Sequence, residues 1–543
     1  MKNRLIFLFI PIIILCIPDQ SFSQKKPQGA DVITAADLES YVSFLASPLL
    51  KGRKNGEPGL EIAQQFIVSQ AKVLGLKPAN GSSYLQPYTL VKNIIDPQKT
   101  KIEIVGKNHD TLTISKPIYQ LRPSGPSDFT IEGEVVFVGY GLQQDKYQYD
   151  DLEKIEPEGK ILLVMAGAPS NPDGKKYLFE GTDWGSRRSI QEKVMSLMLT
   201  KAKAILIIMG PKSGYSSVDE WYPGISGEMR TPLTMKGEKN RVFNSINMPK
   251  VMFVDRSVAD ELLAGSGNTI KDLQEKIDTD LKPHSFTIPD KRLIINEVTK
   301  TVEITMYNVA ALIEGSDPVL KNEYVIFSGH ADHIGESARG INAGADDDAS
   351  GCAALLSMAE AFQSLEIKPL RSILFLWVSG EELGLFGSSS YINDPLVPLD
   401  KTVADLNMDM IGRVKGVADT TSETPMTGPT GVFVITDNQS KELIAIADEV
   451  DKSSVIDFDY SLSGRNHPLQ MFARSDHYNF VKKDIPVLFF MTGLHADYHT
   501  PGDIPEKLDF KKMELVTKTM YQIGYNVANR KTRIVVDNPF SKW

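Results

Sequence analysis

Residues 328–351 read SGHADHIGESARGINAGADDDASG. The stretch follows an apolar run at 324–327 with the look of a strand, and it opens into a helix-like run at 353–362. Its first motif is His330-Ala331-Asp332 and its second is GADDDASG at 344–351. Imidazole and carboxylate presented together on a strand-end loop are ligands for a borderline metal such as zinc.

Outward from this stretch, apolar strands alternate with helices over residues 286–535. Strand patterns fall at 324–327, 373–378, just before Met408, 432–435 and 487–490. Helical periods fall at 353–365, 440–450 and 511–527. Such alternation predicts an α/β fold with a mixed, mostly parallel sheet and helices on both faces. In open α/β sheets, ligands bind beyond the carboxyl ends of the strands. The strand ends here lead to His330, to Glu381-Glu382, to Asp409, and to His495, Asp497 and His499. Six of the eight histidines follow residue 329. A joint pattern of this kind says more than any single residue in it.

Upstream, 34–75 reads as helical on either side of a turn-rich connection at 50–59, with Thr34 and Asp37 spaced as a capping pair. From residue 118 to 285 the rhythm is that of a separate region. Strand-like runs at 134–138, 160–165, 204–209 and 250–254 are separated by loops rich in Gly, Pro, Asn and Asp, among them 221–227. This predicts a β-rich α/β insert at 118–285, dividing a discontinuous domain formed by 32–117 and 286–535.

The N-terminus reads separately. Lys2 and Arg4 precede an apolar run from 5 to 17, and Ser21-Phe22-Ser23 offers small residues for cleavage. Residues 1–23 thus read as a secretory signal peptide, with no stable membrane span after its removal. The run is shorter than the roughly 20 residues of a spanning helix. Export predicts a periplasmic or extracellular protein. Without this segment only Cys352 remains of two cysteines, so no intramolecular disulfide forms. A net charge of −10 with no long basic run argues against nucleic acid as a partner.

Seven motifs, in this order, resemble the co-catalytic di-zinc aminopeptidases, the family of bacterial leucyl aminopeptidase and aminopeptidase Y. They are Asn308-Val309 with Glu314-Gly315-Ser316, His330-Ala331-Asp332, GADDDASG, SGEELGLFGS at 379–388, NMDMIG at 407–412, Arg474-Ser475-Asp476-His477, and DYHTPGD at 497–503. They span about residues 300–510, with weaker matches at Leu45-Ala46-Ser47 and Gly52-Arg53. The resemblance implies two zinc ions per chain and peptide substrates. His330 and Asp409 would bind one ion, Glu382 and His499 the other, and Asp347 both. Asp332 would orient His330 by its carboxylate, Glu381 would be the general base, and Tyr498 would help hold the substrate carbonyl. The insert resembles a protease-associated domain, which implies restricted access to the site; an inert structural insert is the alternative.

Other readings lead elsewhere. Asp346-Asp347-Asp348 can cap the helix that follows, with Asp348 or Ser350 as the cap, and Cys352 reads as a small buried hydrophobe. His333 and His495 read as loop or supporting residues. Ser475-Asp476-His477 reads as pocket wall, because consecutive residues rarely form a triad. A carboxypeptidase or dipeptidase for acidic peptides would use the same zinc site with Arg413 or Arg474 on a C-terminal carboxylate. A glutaminyl cyclase would keep one zinc, and a receptor-like member would have lost ligands.

Overall fold

The structure, a computed structural model, describes residues 29–542 apart from 97, 115–117, 121–127, 181, 216–219, 221–232, 238–248, 338, 418 and 420–424. The signal segment 1–23 and the loop 221–227 lie outside the described residues. No helix among the described residues is long and apolar enough to cross a membrane.

Four parallel strands form the middle of a ten-stranded mixed sheet: β1 (Tyr324–His330), β2 (Ser372–Val378), β3 (Thr402–Met408) and β4 (Val487–Met491). Their order across the sheet is β2-β1-β3-β4. Every residue of β2, β3 and β4 is buried, and the runs are largely apolar. Register pairs His330 with Val378, Ser328 with Asn407 and Met408 with Phe490. The four carboxyl ends therefore open on one edge. The flanks are antiparallel, through Thr299–Ile313 on one side and Gly431–Ile435 on the other.

Three helices pack over this sheet: α1 (Ala35–Leu45), α2 (Gly351–Ser364) and α3 (Phe510–Asn529). Thr34 Oγ1 accepts from Asp37 N at 3.2 Å and caps α1. α2 is buried from Gly351 to Ala359, as a helix apolar on every side must be. α3 approaches so closely that a Cβ at Gly524 would lie 2.1 Å from Phe327 Cζ. Phe327 in turn stacks on Phe375 at 5.4 Å.

A second, eight-stranded sheet has Phe129–Phe137, Ile161–Met165, Ala204–Ile208 and Lys250–Val254 as its parallel strands. Helices Arg187–Met198, Arg256–Leu263 and Ile270–Asp280 accompany it. It reaches beyond 118–285, because Lys101–Gly106, Thr111–Thr113 and Phe286–Glu297 are ladder members. The reason is continuity. Leu85–Ile95 pairs with Thr299–Ile313 in the first sheet, and the same two chain segments go on to pair as Lys101–Gly106 with Phe286–Glu297 in the second. Short strands look alike in sequence on either side of such a crossing. The second region also returns a strand, Leu233–Met235, to the first sheet.

Candidate metal centre

The loops after the four parallel strands bring together two groups of side chains. One is His330, Asp347 and Asp409; the other is His333, Asp347, Glu382 and His499. Within each group the candidate ligand atoms lie within 4.8 Å of one another. Asp347 belongs to both. Its Oδ1 is 3.2 Å from His330 Nε2, and its Oδ2 is 3.1 Å from His499 Nε2. His330 Nε2 is 3.5 Å from Asp409 Oδ1, and His499 Nε2 is 3.0 Å from Glu382 Oε2. All five ligands read from the sequence thus face one another, and His333 joins them.

The three consecutive aspartates do three different things. Asp346 Oδ1 accepts from Gly412 N and fixes the loop after β3. Asp347 faces both groups. Asp348 Oδ1 accepts from Gly351 N at the start of α2 and from Met410 N, while its Oδ2 accepts from His330 N. Asp348 thus accepts the first N–H of α2, whose N-cap residue is Ser350, and it also ties two candidate ligand loops together. Asp503 supports the centre from outside, accepting from the main-chain N of Asp346 and of Asp347. Met410 and His499 sit at φ 59° and 56°, left-handed values that cost energy outside glycine and gather at functional sites.

Asp332 behaves differently from expectation. His330 Nδ1 lies 3.1 Å from the main-chain O of Asp332, whereas the carboxylate is 3.8 Å away. That carboxylate accepts from Glu381 N, Glu382 N and Asn55 Nδ2. Asp332 therefore orients His330 through its carbonyl and holds the Glu381–Glu382 turn with its side chain. Three further supports lie far off in sequence. Ser475 Oγ donates to Asp409 Oδ2 and accepts from Asn407 Nδ2. His477 turns away to Phe472 O, so no Ser-His pair exists there. Arg53, 1% exposed, donates to the main-chain oxygens of Leu45, Ala331, Ala343, Gly344 and Asp347. The Cys352 thiol, pushed up by burial, donates to His330 O.

The electrostatics suit a cation. Burial alone would lower the His330 imidazole, but Asp409 and Glu381 hold it well above its ordinary value. Burial would likewise lower His499, which Asp347 and Glu382 raise to about 10. Asp347, despite burial, is held well below the carboxylate range by His333, His330 and His499. Burial pushes the Glu381 carboxyl well up, opposed by His330 and reinforced by Asp476 and Asp409. Tyr498 stacks on His499 at 3.8 Å, with its hydroxyl raised by burial and by the carboxylates.

The donor set fits zinc. His330 Nε2, both ring nitrogens of His333, Glu382 Oε1, Asp409 Oδ1 and His499 Nε2 are buried and make no aligned hydrogen bond among the described residues. Buried polar atoms are normally paired, and nitrogen and carboxylate oxygen are zinc's ordinary ligands. The sequence reads His333 as a loop or supporting residue, and the structure brings it into the second group. Its spacing of three from His330 was the available signal.

The mixed sheet thus gathers two groups of candidate metal ligands beyond the ends of its parallel strands. Residues 308–524 match Peptidase family M28. Leupeptin-inactivating enzyme 1 of Streptomyces exfoliatus is 38% identical over 109 residues, 20% of this chain and 23% of that one. The probable leucine aminopeptidase 2 of Trichophyton verrucosum is 28% identical over 250 residues, 41% and 44% of the two chains. The chain spans less than half the length of these curated relatives. Among solved structures, an aminopeptidase from Aneurinibacillus sp. strain AM-1 aligns over 95% of this chain and 98% of its own, at 17% identity and a TM-score of 0.49.

Proposed function

We propose that this chain is a zinc aminopeptidase that holds two zinc ions and removes N-terminal residues from peptides. The observation that carries the reading is Asp347, whose two oxygens face two ligand groups rich in orphaned buried atoms. His330, Asp347 and Asp409 would hold one ion, and Glu382, His499 and Asp347 the other. Zinc supplies Lewis acidity there, polarising a carbonyl and making water acidic. Glu381 takes the proton of the attacking water and returns it to the leaving amine nitrogen. Burial raises its carboxyl, which favours its holding the transferred proton. Asp332 holds Glu381 in place at its main-chain N. Tyr498 lines the mouth beside His499 and is the candidate contact for the substrate carbonyl.

The related names support the amino-terminal reading. Arg413, one of two arginines a C-terminal carboxylate would use, is already ion-paired with Asp497 at 2.8 Å. A complete ligand set weighs against a one-zinc cyclase and a receptor-like member. The same proposal includes export through residues 1–23, and a protease-associated role for the second sheet in limiting access.

The test is mass spectrometry of short peptides, each with a free and an acetylated N-terminus, incubated with and without chelator. Stepwise loss of N-terminal residues from the free peptides alone, abolished by chelator, is the expected result. Trimming from the C-terminus, or no cleavage by protein carrying two zincs, would overturn the aminopeptidase reading.

A further inference from the structure

His333 stands three residues beyond His330 on the loop after β1 and is 1% exposed. Its Nδ1 lies 2.7 Å from Glu382 Oε1 and 3.6 Å from Asp347 Oδ2. At 2.7 Å a hydrogen bond would be expected, yet neither Nδ1 nor Glu382 Oε1 makes an aligned one, and Nε2 is unpartnered as well. Both residues belong to a group of four side chains whose candidate ligand atoms lie within 4.8 Å of one another.

The ring is held there on several sides. The main-chain N of His333 donates to Arg53 O at 3.1 Å. The ring meets His499 edge-on, with centroids 5.6 Å apart and planes at 72°. On another side it lies against Gly344, where a Cβ would be 2.6 Å from its Cγ and Cδ2. Gly344 at φ 61° leaves room for this imidazole, so the motif GADDDASG shapes the pocket His333 fills.

We propose that His333 is a metal ligand through Nδ1, giving the ion held by Asp347, Glu382 and His499 a fourth protein ligand. The other ion, held by His330, Asp347 and Asp409, has three. The two positions then differ in kind. Four protein ligands make the closed tetrahedral shell typical of a retained zinc, whereas three leave a position open for water or substrate. The His333 position fills first and empties last, and the His330 position is the exchangeable one. This assignment rests on the metal reading above.

The experiment uses the full chain, stripped of metal and given one equivalent of zinc. X-ray absorption should show two imidazoles on that zinc, those of His333 and His499. Competition against a chelator should then resolve two affinities. His333→Ala should weaken the tighter one by about tenfold or more, no less than the loss of an outer hydrogen-bond partner of a ligand costs. The spectrum of the unaltered protein keeps the inference testable even where the variant folds poorly. A chain that takes up two zincs but shows one imidazole on the first overturns the His333 assignment and leaves the dinuclear reading standing. A chain that takes up no zinc overturns both.

Discussion

Among the described residues, two buried charge clusters, one beside each large sheet, are finished differently. In the second sheet's region, Asp151 accepts from Tyr140 N, Leu142 N and the Tyr149 hydroxyl. Asp278 accepts from the Tyr140 hydroxyl, Ser170 N and Lys212 Nζ. Lys193 Nζ donates to Met165 O and Gly167 O. Every charge there has partners. Around Asp347 the supports are just as complete, but the inward-facing atoms of His330, His333, Glu382, Asp409 and His499 are bare. Perturbed ionisation marks both clusters, since burial also raises Asp151 and lowers Lys193, each to about 7. A shifted pKa therefore does not separate a scaffold from a site; a group of buried nitrogen and carboxylate atoms without aligned partners does.

The sharpest way to break this contrast is to alter Glu381, the carboxylate assigned to proton transfer. Glu381→Gln should lower kcat by about 10²–10⁴-fold while zinc content stays at the unaltered level. Loss of zinc along with activity would make Glu381 a ligand instead. Next in size is Arg53→Met, which strips a donor from five main-chain oxygens around the centre. Denaturant unfolding should show a loss of about 3 kcal/mol or more, and zinc affinity should fall with it. A change within 0.5 kcal/mol would remove Arg53 from the account.

In the saturated cluster, Lys193→Met should cost about 1–3 kcal/mol and leave peptide hydrolysis unchanged. Its pH signature is specific. Between about pH 7 and 10.5 the unfolded chain keeps a proton on Lys193 that the folded chain lacks, so stability rises with pH there. Asp151 acts in the opposite sense between 3.8 and about 7, where the folded chain keeps the proton and stability falls as pH rises. Unfolding midpoints across pH 4–10 should therefore dip near 7, and the variant should lose the alkaline limb. A profile identical in the two proteins would show that Lys193 does not titrate as its burial requires. Smallest is Cys352→Ser. The thiol only donates to His330 O in a buried setting, so the cost should stay below about 1 kcal/mol. In the unaltered chain a thiol reagent should label it only after unfolding.

Much of the fold was legible because its signals are local. The helix at 511–527 appears as Phe510–Asn529, and that at 440–450 as Lys441–Asp451 with Ser440 as its cap. The strands at 324–327, 373–378 and 487–490 lie within Tyr324–His330, Ser372–Val378 and Val487–Met491. The insert's edges were less legible. Lys101–Gly106 and Phe286–Glu297 have the alternation of any half-buried strand, and nothing in them names the sheet they join.

The sequence by itself determined which residue types end which strands, and in what order. Alternation, caps and motifs act over a few residues, so His330, Asp347, Glu381, Glu382, Asp409 and His499 could be read from one chain. Only the tertiary structure decided what stands between those segments. Asp332 lends its carbonyl rather than its carboxylate to His330, Ser475 reaches across to Asp409, Arg53 draws five carbonyls together, and His333 turns inward against Gly344. These roles depend on small differences in distance between side chains, most of them on segments tens to hundreds of residues apart. No local pattern encodes such a distance. It is set when parallel strands align their ends and buried groups must find partners.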